Sequence, residues 1–351
     1  MFLKIRHKIR PGLAFILAAV LAAGPLIASP VHAAAKYTFT DVKTAYNMPL
    51  DYNYKFTGDT IASLEKDSKG AYQLYLHNWK KKTTEKVTST NTFKTNLQLL
   101  GDSVYYYEST IEVTKQINIY PKKLVQYNLK TKKTSELPLE VKTPELLGVG
   151  DKYYVHSSGS DFYFTNKTTL ETQTINDLGF DQVHQFVDDK FIYSKWDTGT
   201  LYLYDLPSSK TTELYKLKEN ESFNLVASNG KDIVWMIDSK EVDAAGKTKN
   251  YFIYMTMDRS KAGAPVKVLL KREWVIGDRN DLLLVGDNYA VFSEMMNNKL
   301  VARGVNLRNG ELFLLGERNR SADNFVYFNK DTLISRDAND YIVLRTIVRT
   351  P

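Results

Sequence analysis

A short phrase that recurs along this chain at nearly fixed spacing constrains the fold more than any other feature. A polar residue, usually aspartate after glycine, opens a run of β-forming residues at Gly58-Asp59, Gly101-Asp102, Gly150-Asp151, Asp188-Asp189, Gly230-Lys231, Gly286-Asp287 and Lys330-Asp331. The second members of these pairs lie 43, 49, 38, 42, 56 and 44 residues apart. Most units carry a second phrase, an aromatic-aliphatic strand that runs into a turn rich in Lys, Thr and Asn. Its clearest copies are Leu124–Leu137, Leu201–Leu214 and Val301–Leu312. Each copy is one supersecondary unit that cannot bury its apolar face alone and must stack on its neighbours.

Apolar and polar residues alternate on either side of an Asn, Asp or Gly turn, which marks an antiparallel hairpin. Val, Ile, Thr and Tyr dominate, with 23 tyrosines, and no sustained 3.6-residue period follows the first 35 residues. One more strand precedes each opening position: Tyr52–Phe56, Leu97–Leu100, Glu145–Val149, Val183–Val187, Phe223–Ala227, Leu282–Val285 and Asn324–Phe328. Four strands in 40 to 50 residues is the period of a propeller blade. The expected fold is therefore all-β, a β-propeller of seven four-stranded blades. A two-sheet sandwich accounts for the strands but not for seven copies in register. Six blades plus a C-terminal hairpin is the alternative count, because the last unit ends two strands after Asp331. Tyr37–Val42 supplies a spare strand, expected to close the last blade and remove an exposed edge. In period and phrase, residues 36–351 resemble the bacterial extracytoplasmic propellers, with a blade plan similar to that of the WD40 and TolB-like superfamilies. The Gly-His and Trp-Asp dipeptides of WD40 repeats are not in place; Trp196-Asp197 occurs once, at a different point in the blade. The resemblance implies a fold and carries over no functional residue.

Ahead of the repeats stand Lys4, Arg6, Lys8 and Arg10, an apolar run from Leu13 to Ala23 broken by Gly24-Pro25, and small residues around Val31-His32-Ala33. Cationic head, apolar core and small-residue exit make a secretory signal peptide, so residues 1–35 are expected to be removed. The apolar run is shorter than the roughly 20 residues a membrane span needs, and no membrane span is expected after cleavage. The chain has no cysteine, which excludes disulfides, thiolate metal sites and a cysteine nucleophile. Together these features point to a bacterial protein outside the cytoplasm, secreted or wall-associated, or periplasmic in a Gram-negative source. The formal charge of +7 includes the four leader cations; without them 43 Lys and Arg face 40 Asp and Glu. Charges alternate instead of forming a basic stripe, so nucleic acid is not an expected partner. Every arginine after the leader lies at or beyond Arg259, which reads as compositional drift.

Most variation in repeat length falls between the second and third strands, in Ser109–Pro121 and Ser239–Asn250. Such insertions gather on one face of a propeller, together with the loops joining successive blades, and often mark the binding face. Trp196 and Asp197 belong to the first class of loop, and Trp274, Arg279, Arg318 and Arg320 to the second. An exposed aromatic beside a guanidinium can stack on a sugar and bind a carboxylate or phosphate; Trp and Arg at rims also pack over neighbouring loops. These six are the candidate ligand-binding residues. His77, His156 and His184 are widely separated, and no nucleophile elbow or phosphate loop occurs. No catalytic residue, metal or cofactor is assigned. The expectation is a monomeric, non-catalytic binding or scaffolding propeller for a protein or cell-envelope polysaccharide. The alternative is a glycan-active enzyme with acidic residues converging on the central channel.

Overall fold

The computed structural model describes residues 37–47, 53–109, 123–137, 145–158, 161–175, 182–260, 264–275, 278, 282–318, 325–337 and 339–350. The expected signal peptide, residues 1–35, and most of Ser109–Pro121 lie outside them, as do Arg279 and Arg320. The first strand is β1 (Tyr37–Asn47). Blade 1 follows as β2 (Asn53–Thr57), β3 (Thr60–Lys66), β4 (Tyr72–Asn78) and β5 (Thr83–Lys86). Blade 2 holds β6 (Phe93–Leu100), β7 (Ser103–Ser109), β8 (Lys123–Asn128) and β9 (Thr134–Leu137). Blade 3 holds β10 (Glu145–Val149), β11 (Tyr153–Ser158), β12 (Asp161–Asn166) and β13 (Thr172–Ile175). Blade 4 is β14 (Gln182–Val187), β15 (Lys190–Lys195), β16 (Thr200–Asp205) and β17 (Lys210–Lys216). Blade 5 is β18 (Glu221–Ser228), β19 (Asp232–Val242), β20 (Thr248–Asp258) and β21 (Lys267–Glu273). Blade 6 is β22 (Leu283–Val285), β23 (Tyr289–Met296), β24 (Lys299–Asn306) and β25 (Leu312–Glu317). Blade 7 is β26 (Phe325–Asn329), β27 (Thr332–Arg336) and β28 (Tyr341–Arg349), with β1 paired to β28 as its outermost strand. Seven antiparallel sheets of four strands thus form the propeller, and the count of six falls away.

The core is divided among the blade interfaces. Side chains alternate across a strand, so a central strand buried on both faces must be apolar throughout. In β19, Ile233, Trp235 and Ile237 pack toward blade 4, while Val234 and Met236 pack toward blade 6. In β7, Val104 and Tyr106 face blade 1, whereas Tyr105 and Tyr107 face blade 3. Clusters of this kind join every neighbouring pair, including blade 7 to blade 1 through Ile334, Ile342 and Leu344 against Phe56 and Ile61. The ring is closed by side chains as well as by β1.

The recurring phrases are turns. Gly101-Asp102 is a two-residue hairpin loop with Gly101 at φ +55°, a conformation that a glycine adopts without steric cost. Gly150 serves differently: a Cβ there would collide with Asp189 of the next blade. Asp189 is buried and accepts from the Lys152 and Tyr153 amides at 2.8 and 3.0 Å, tying blade 4 to blade 3. The second phrase ends in Asx turns. Oδ1 of Asn78, Asn128, Asn166, Asp205, Asp258 and Asn306 each accepts a backbone N–H two or three residues on. The next residue then donates its N–H to the opening turn, as Leu129 does to the Asp102 carbonyl at 2.7 Å. Both kinds of turn therefore share one face, and staples between blades gather there. Arg308 grips Asp232 at 3.0 and 2.9 Å, and Arg259 pairs with Asp188 at 2.9 Å. The late arginines have a structural use that drift does not describe.

One expected loop is strand instead. Ser239–Asn250 continues the β19–β20 ladder to Val242↔Thr248, closed by Asp243–Lys247. The extra length of the fifth unit is a projecting hairpin, held against β21 by Lys271–Glu241 at 2.7 Å and Lys249–Glu273 at 3.0 Å.

Candidate functional site

The face opposite the staples carries the connections between second and third strands and those between blades. Two cavities open on it, of about 340 and 260 Å³. The larger is lined by Asn220, Ser222, Asp238, Lys240, Asn250 and Trp274 among others. The smaller is lined by Gln182, Ser194, Lys195, Trp196, Glu221 and Ser222 among others. Ser222 lines both, so the two adjoin as a groove at one end of blade 5, the smaller reaching blade 4, with a tryptophan in each lining. Trp196 is 72% exposed and Trp274 41%. A third cleft, about 420 Å³, lies on the stapled face between blades 1 and 2, where Lys132 and Glu85 pair across it at 2.6 Å.

The two indoles sit on fixed backbone. Trp196 occupies the four-residue turn between Lys195 and Thr200; its carbonyl accepts from Gly199 at 3.3 Å. Asp197 beside it is exposed and caps the Thr198 amide at 2.7 Å. Trp274 follows β21 and donates its N–H to the Asn250 carbonyl at 2.8 Å. Beneath it Asp278, with no exposed side-chain surface, accepts from Arg272 at 2.7 Å and from the Val275 and Met295 amides at 2.8 Å. Glu221 is similarly occupied: Tyr215 and the Lys218 amide donate to Oε2 at 2.8 and 3.0 Å, and Lys218 Nζ lies 3.4 Å from Oε1.

Asp238 differs. Burial raises its carboxyl above the usual range, and the Asn224 amide, at 3.3 and 3.2 Å, donates to it and opposes that rise. Asn224 stands at a β-bulge between Phe223 and Leu225, and His184 at the matching bulge of β14. His184 Nε2 contacts Ser194 Oγ at 3.0 Å, and burial lowers its pKa to about 4. The same irregularity recurs in the inner strands β6, β10 and β26, so it belongs to the blade plan and does not by itself mark a site. In both blades the bulged residue reaches a side chain that lines the groove.

Of the six expected residues, the structure places Trp196 and Trp274 in the linings of the two adjoining cavities, while Asp197, next to Trp196, lines neither. Arg318 is 7% exposed and directs its guanidinium to Ser293 Oγ inside the blade, so it packs within blade 6 instead of meeting a ligand at the rim. Arg279 and Arg320 lie outside the described residues. Asp238, Ser222, Asn250 and the two bulges escape the sequence reading. One signal for Asp238 is visible: the apolar run Ile233–Ile237 breaks there, four residues before the strand ends.

Another polar cluster has a different geometry. Ser63 Oγ and Glu65 Oε1 both lie on His77 Nε2, at 3.0 and 2.6 Å, while Nδ1 faces Thr84 at 2.9 Å. A serine nucleophile and its orienting carboxylate would need opposite ring nitrogens, so this buried network is structural. Among the described residues no group of three His, Asp or Glu side chains is placed to hold a metal. Nor is any helix there long and apolar enough to cross a membrane.

No protein-family model and no curated protein sequence matches the chain. Among solved structures, dipeptidyl peptidase 4 of Porphyromonas gingivalis is similar over 81% of this chain and 48% of its own, at 12% identity and a TM-score of 0.49. TolB from Acinetobacter baumannii is similar over 75% of this chain and 65% of its own, at 11% identity and a TM-score of 0.41. The chain thus spans about half the length of the peptidase. The assignment of the β-propeller rests on the strand pairing and the seven inter-blade cores described above.

Proposed function

We propose that the chain is exported and acts outside the cytoplasm as a monomeric binding propeller. It engages a protein or cell-envelope polysaccharide through the groove between Trp196 and Trp274. The groove carries this reading: two exposed indoles flank adjoining cavities on the face that carries the blade-joining loops. Binding sites combine apolar surface with a few placed polar groups in this way. Glu221 and Asp278 are occupied in holding the loops, which favours binding over catalysis. Export is supported by the order of features in residues 1–35 and by the lack of cysteine.

Two measurements test the proposal. Intact-mass analysis of the exported protein should give an N-terminus at Ala34 or Lys36; full-length chain retained in membranes overturns export. Envelope material from the producing cells should retain the protein, and a Trp196→Ala, Trp274→Ala double variant should bind at least about tenfold more weakly, since truncating aromatic anchors costs 2 kcal/mol or more. Unchanged binding overturns the groove.

A second reading, a glycan-cleaving enzyme, draws on Asp238 alone. A carboxyl raised by burial suits a general acid, but glycoside cleavage needs a second carboxylate across the bond. Release of reducing ends that Asp238→Asn abolishes would establish that reading.

A further inference from the structure

We infer that the seam between blades 7 and 1 holds a second binding site, one for a carboxylate group, built on Arg336 and Tyr54. Arg336 ends β27, whose side chains alternate between its two neighbours. Leu333 packs toward blade 6 and Ile334 toward blade 1, so Arg336, two residues further on, turns toward blade 1. Its side chain is 7% exposed, and neither Nε nor Nη1 has a hydrogen-bond partner. The seven other described arginines each donate at least one hydrogen bond. From blade 1, Tyr54 packs against the same core, and its hydroxyl is likewise buried without a partner. Burial raises the Tyr54 phenol above its usual range and the Arg336 charge opposes that rise, which places the two groups near each other.

The arginine is no part of the blade plan. The fifth residue of the second strand is Leu64, Tyr107, Ser157, Ser194, Met236 and Ser293 in blades 1 to 6, and none of these is charged. A guanidinium buried with open donors costs stability that any of those side chains would avoid. Positions that break a local rule at such a cost are where function concentrates.

The donors select the ligand. Nε and Nη1 only donate, and the protonated Tyr54 hydroxyl adds a third donor. A group that satisfies them must present acceptor oxygens in more than one direction, as the two oxygens of a carboxylate do. Asp340 Oδ1 lies 3.8 Å from Nη1, beyond hydrogen-bond range, on a side chain that is half exposed. It offsets part of the guanidinium charge through a contact screened by water and leaves the donors open. Such an acidic neighbour suits a ligand with a single negative charge and repels a phosphate dianion. Solvent reaches the seam at Asn53 and Asp340. Arg336 ends a second strand and Tyr54 lies near the start of an inner one, so the site opens on the face that carries the groove, on the far side of the ring from it.

The test follows the thermal midpoint of the purified protein at neutral pH in sodium acetate and in sodium chloride at equal ionic strength. At about ten times its dissociation constant, acetate should raise the parent's midpoint by on the order of 3 °C over chloride. Arg336→Met, which fills the seam without a charge, should start from a higher midpoint than the parent and lose the acetate response. Arg336→Gln should lose it as well. Tyr54→Phe, which lacks one donor, should need about fivefold more acetate for half the rise. N-acetylglycine and glucuronate carry the same group on a peptide end and on a sugar acid, and whichever acts at the lower concentration names the source. A parent that responds to acetate no more than to chloride overturns the site. So does an acetate response that survives in both Arg336 variants. A rise with sodium phosphate and none with acetate overturns the carboxylate.

Discussion

His156 has no exposed surface, is stacked against Tyr163 with ring centroids 5.5 Å apart, and neither ring nitrogen has a hydrogen-bond partner among the described residues. Burial holds it neutral, lowering its pKa from 6.5 to about 4, and His184 shifts by the same cause to about 4. An unfolded histidine binds its proton near pH 6.5, so between 6.5 and 4 the unfolded state carries more protons and stability falls as pH drops. Each group contributes up to about 3 kcal/mol of that loss and none above pH 7. Paired carboxylates such as Asp41 sit below their usual range, so their loss belongs to more acid conditions. Urea midpoints should therefore decline from pH 6.5 to 4.5, and His156→Phe should flatten the decline; an equal slope in the variant would show that His156 is not buried neutral. A second residue stores strain. The turn position four residues after the Asx side chain takes positive φ at Lys82, Lys132, Leu170, Ser209 and Gly310. Glycine fits this conformation, whereas Leu170 (φ +61°) is branched and exposed there. Leu170→Gly should raise stability by about 0.5–1 kcal/mol in a denaturant titration. The turn was legible from Asn and Lys-Thr composition. Which of its members is strained was not, because φ is set by the hairpin.

At the scale of elements, β1 is the clearest case of a strand whose role lies far from its place in the chain. It pairs with β28 from Tyr37↔Arg349 to Lys43↔Val343, and Tyr37 stacks on Phe313 of blade 6 at 4.3 Å. Glu311 of blade 6 accepts from the Tyr37 hydroxyl and from Arg349, all at 2.8 Å, while Asp41 grips Arg345 at 2.7 Å. Deleting residues 36–43 removes a ladder, an aromatic stack and the Asp41–Arg345 and Lys43–Asp337 ion pairs, and exposes the edge of β28 to association. The thermal midpoint should fall on the order of 10 °C, or the protein should aggregate. Unfolding like the parent would show that the ring does not depend on this strand. Counting strands in the sequence was enough to foresee the closure, since an incomplete last unit and a spare first strand admit one economical pairing. The bulges of β14 and β18 were invisible by contrast. A bulge adds one residue without altering the alternation on either side, and only the ladder reveals it.

At the scale of the molecule, the repeat was readable because every central strand must be apolar on both faces, leaving runs such as Ile233–Ile237 at regular intervals. The groove was readable only in part. Trp196 and Trp274 declare themselves by residue type and loop position, but Asp238, Ser222 and Asn250 are ordinary polar residues in strands or at their ends. What makes them a site is their meeting at one end of blade 5, across β18, β19 and β20, which no local pattern records. The two faces also differ in kind: one holds Asx turns and inter-blade arginine pairs, and the other holds the open groove. Amide hydrogen exchange of the purified protein, with and without envelope material, asks which face binds without presuming the ligand. The account predicts slowed exchange in 194–199, 217–222, 238–241 and 250–252 and at 274–275, with the turns following Asn78, Asn128, Asn166 and Asn306 unchanged. Protection confined to those turns, or to blades 1 to 3, would contradict it.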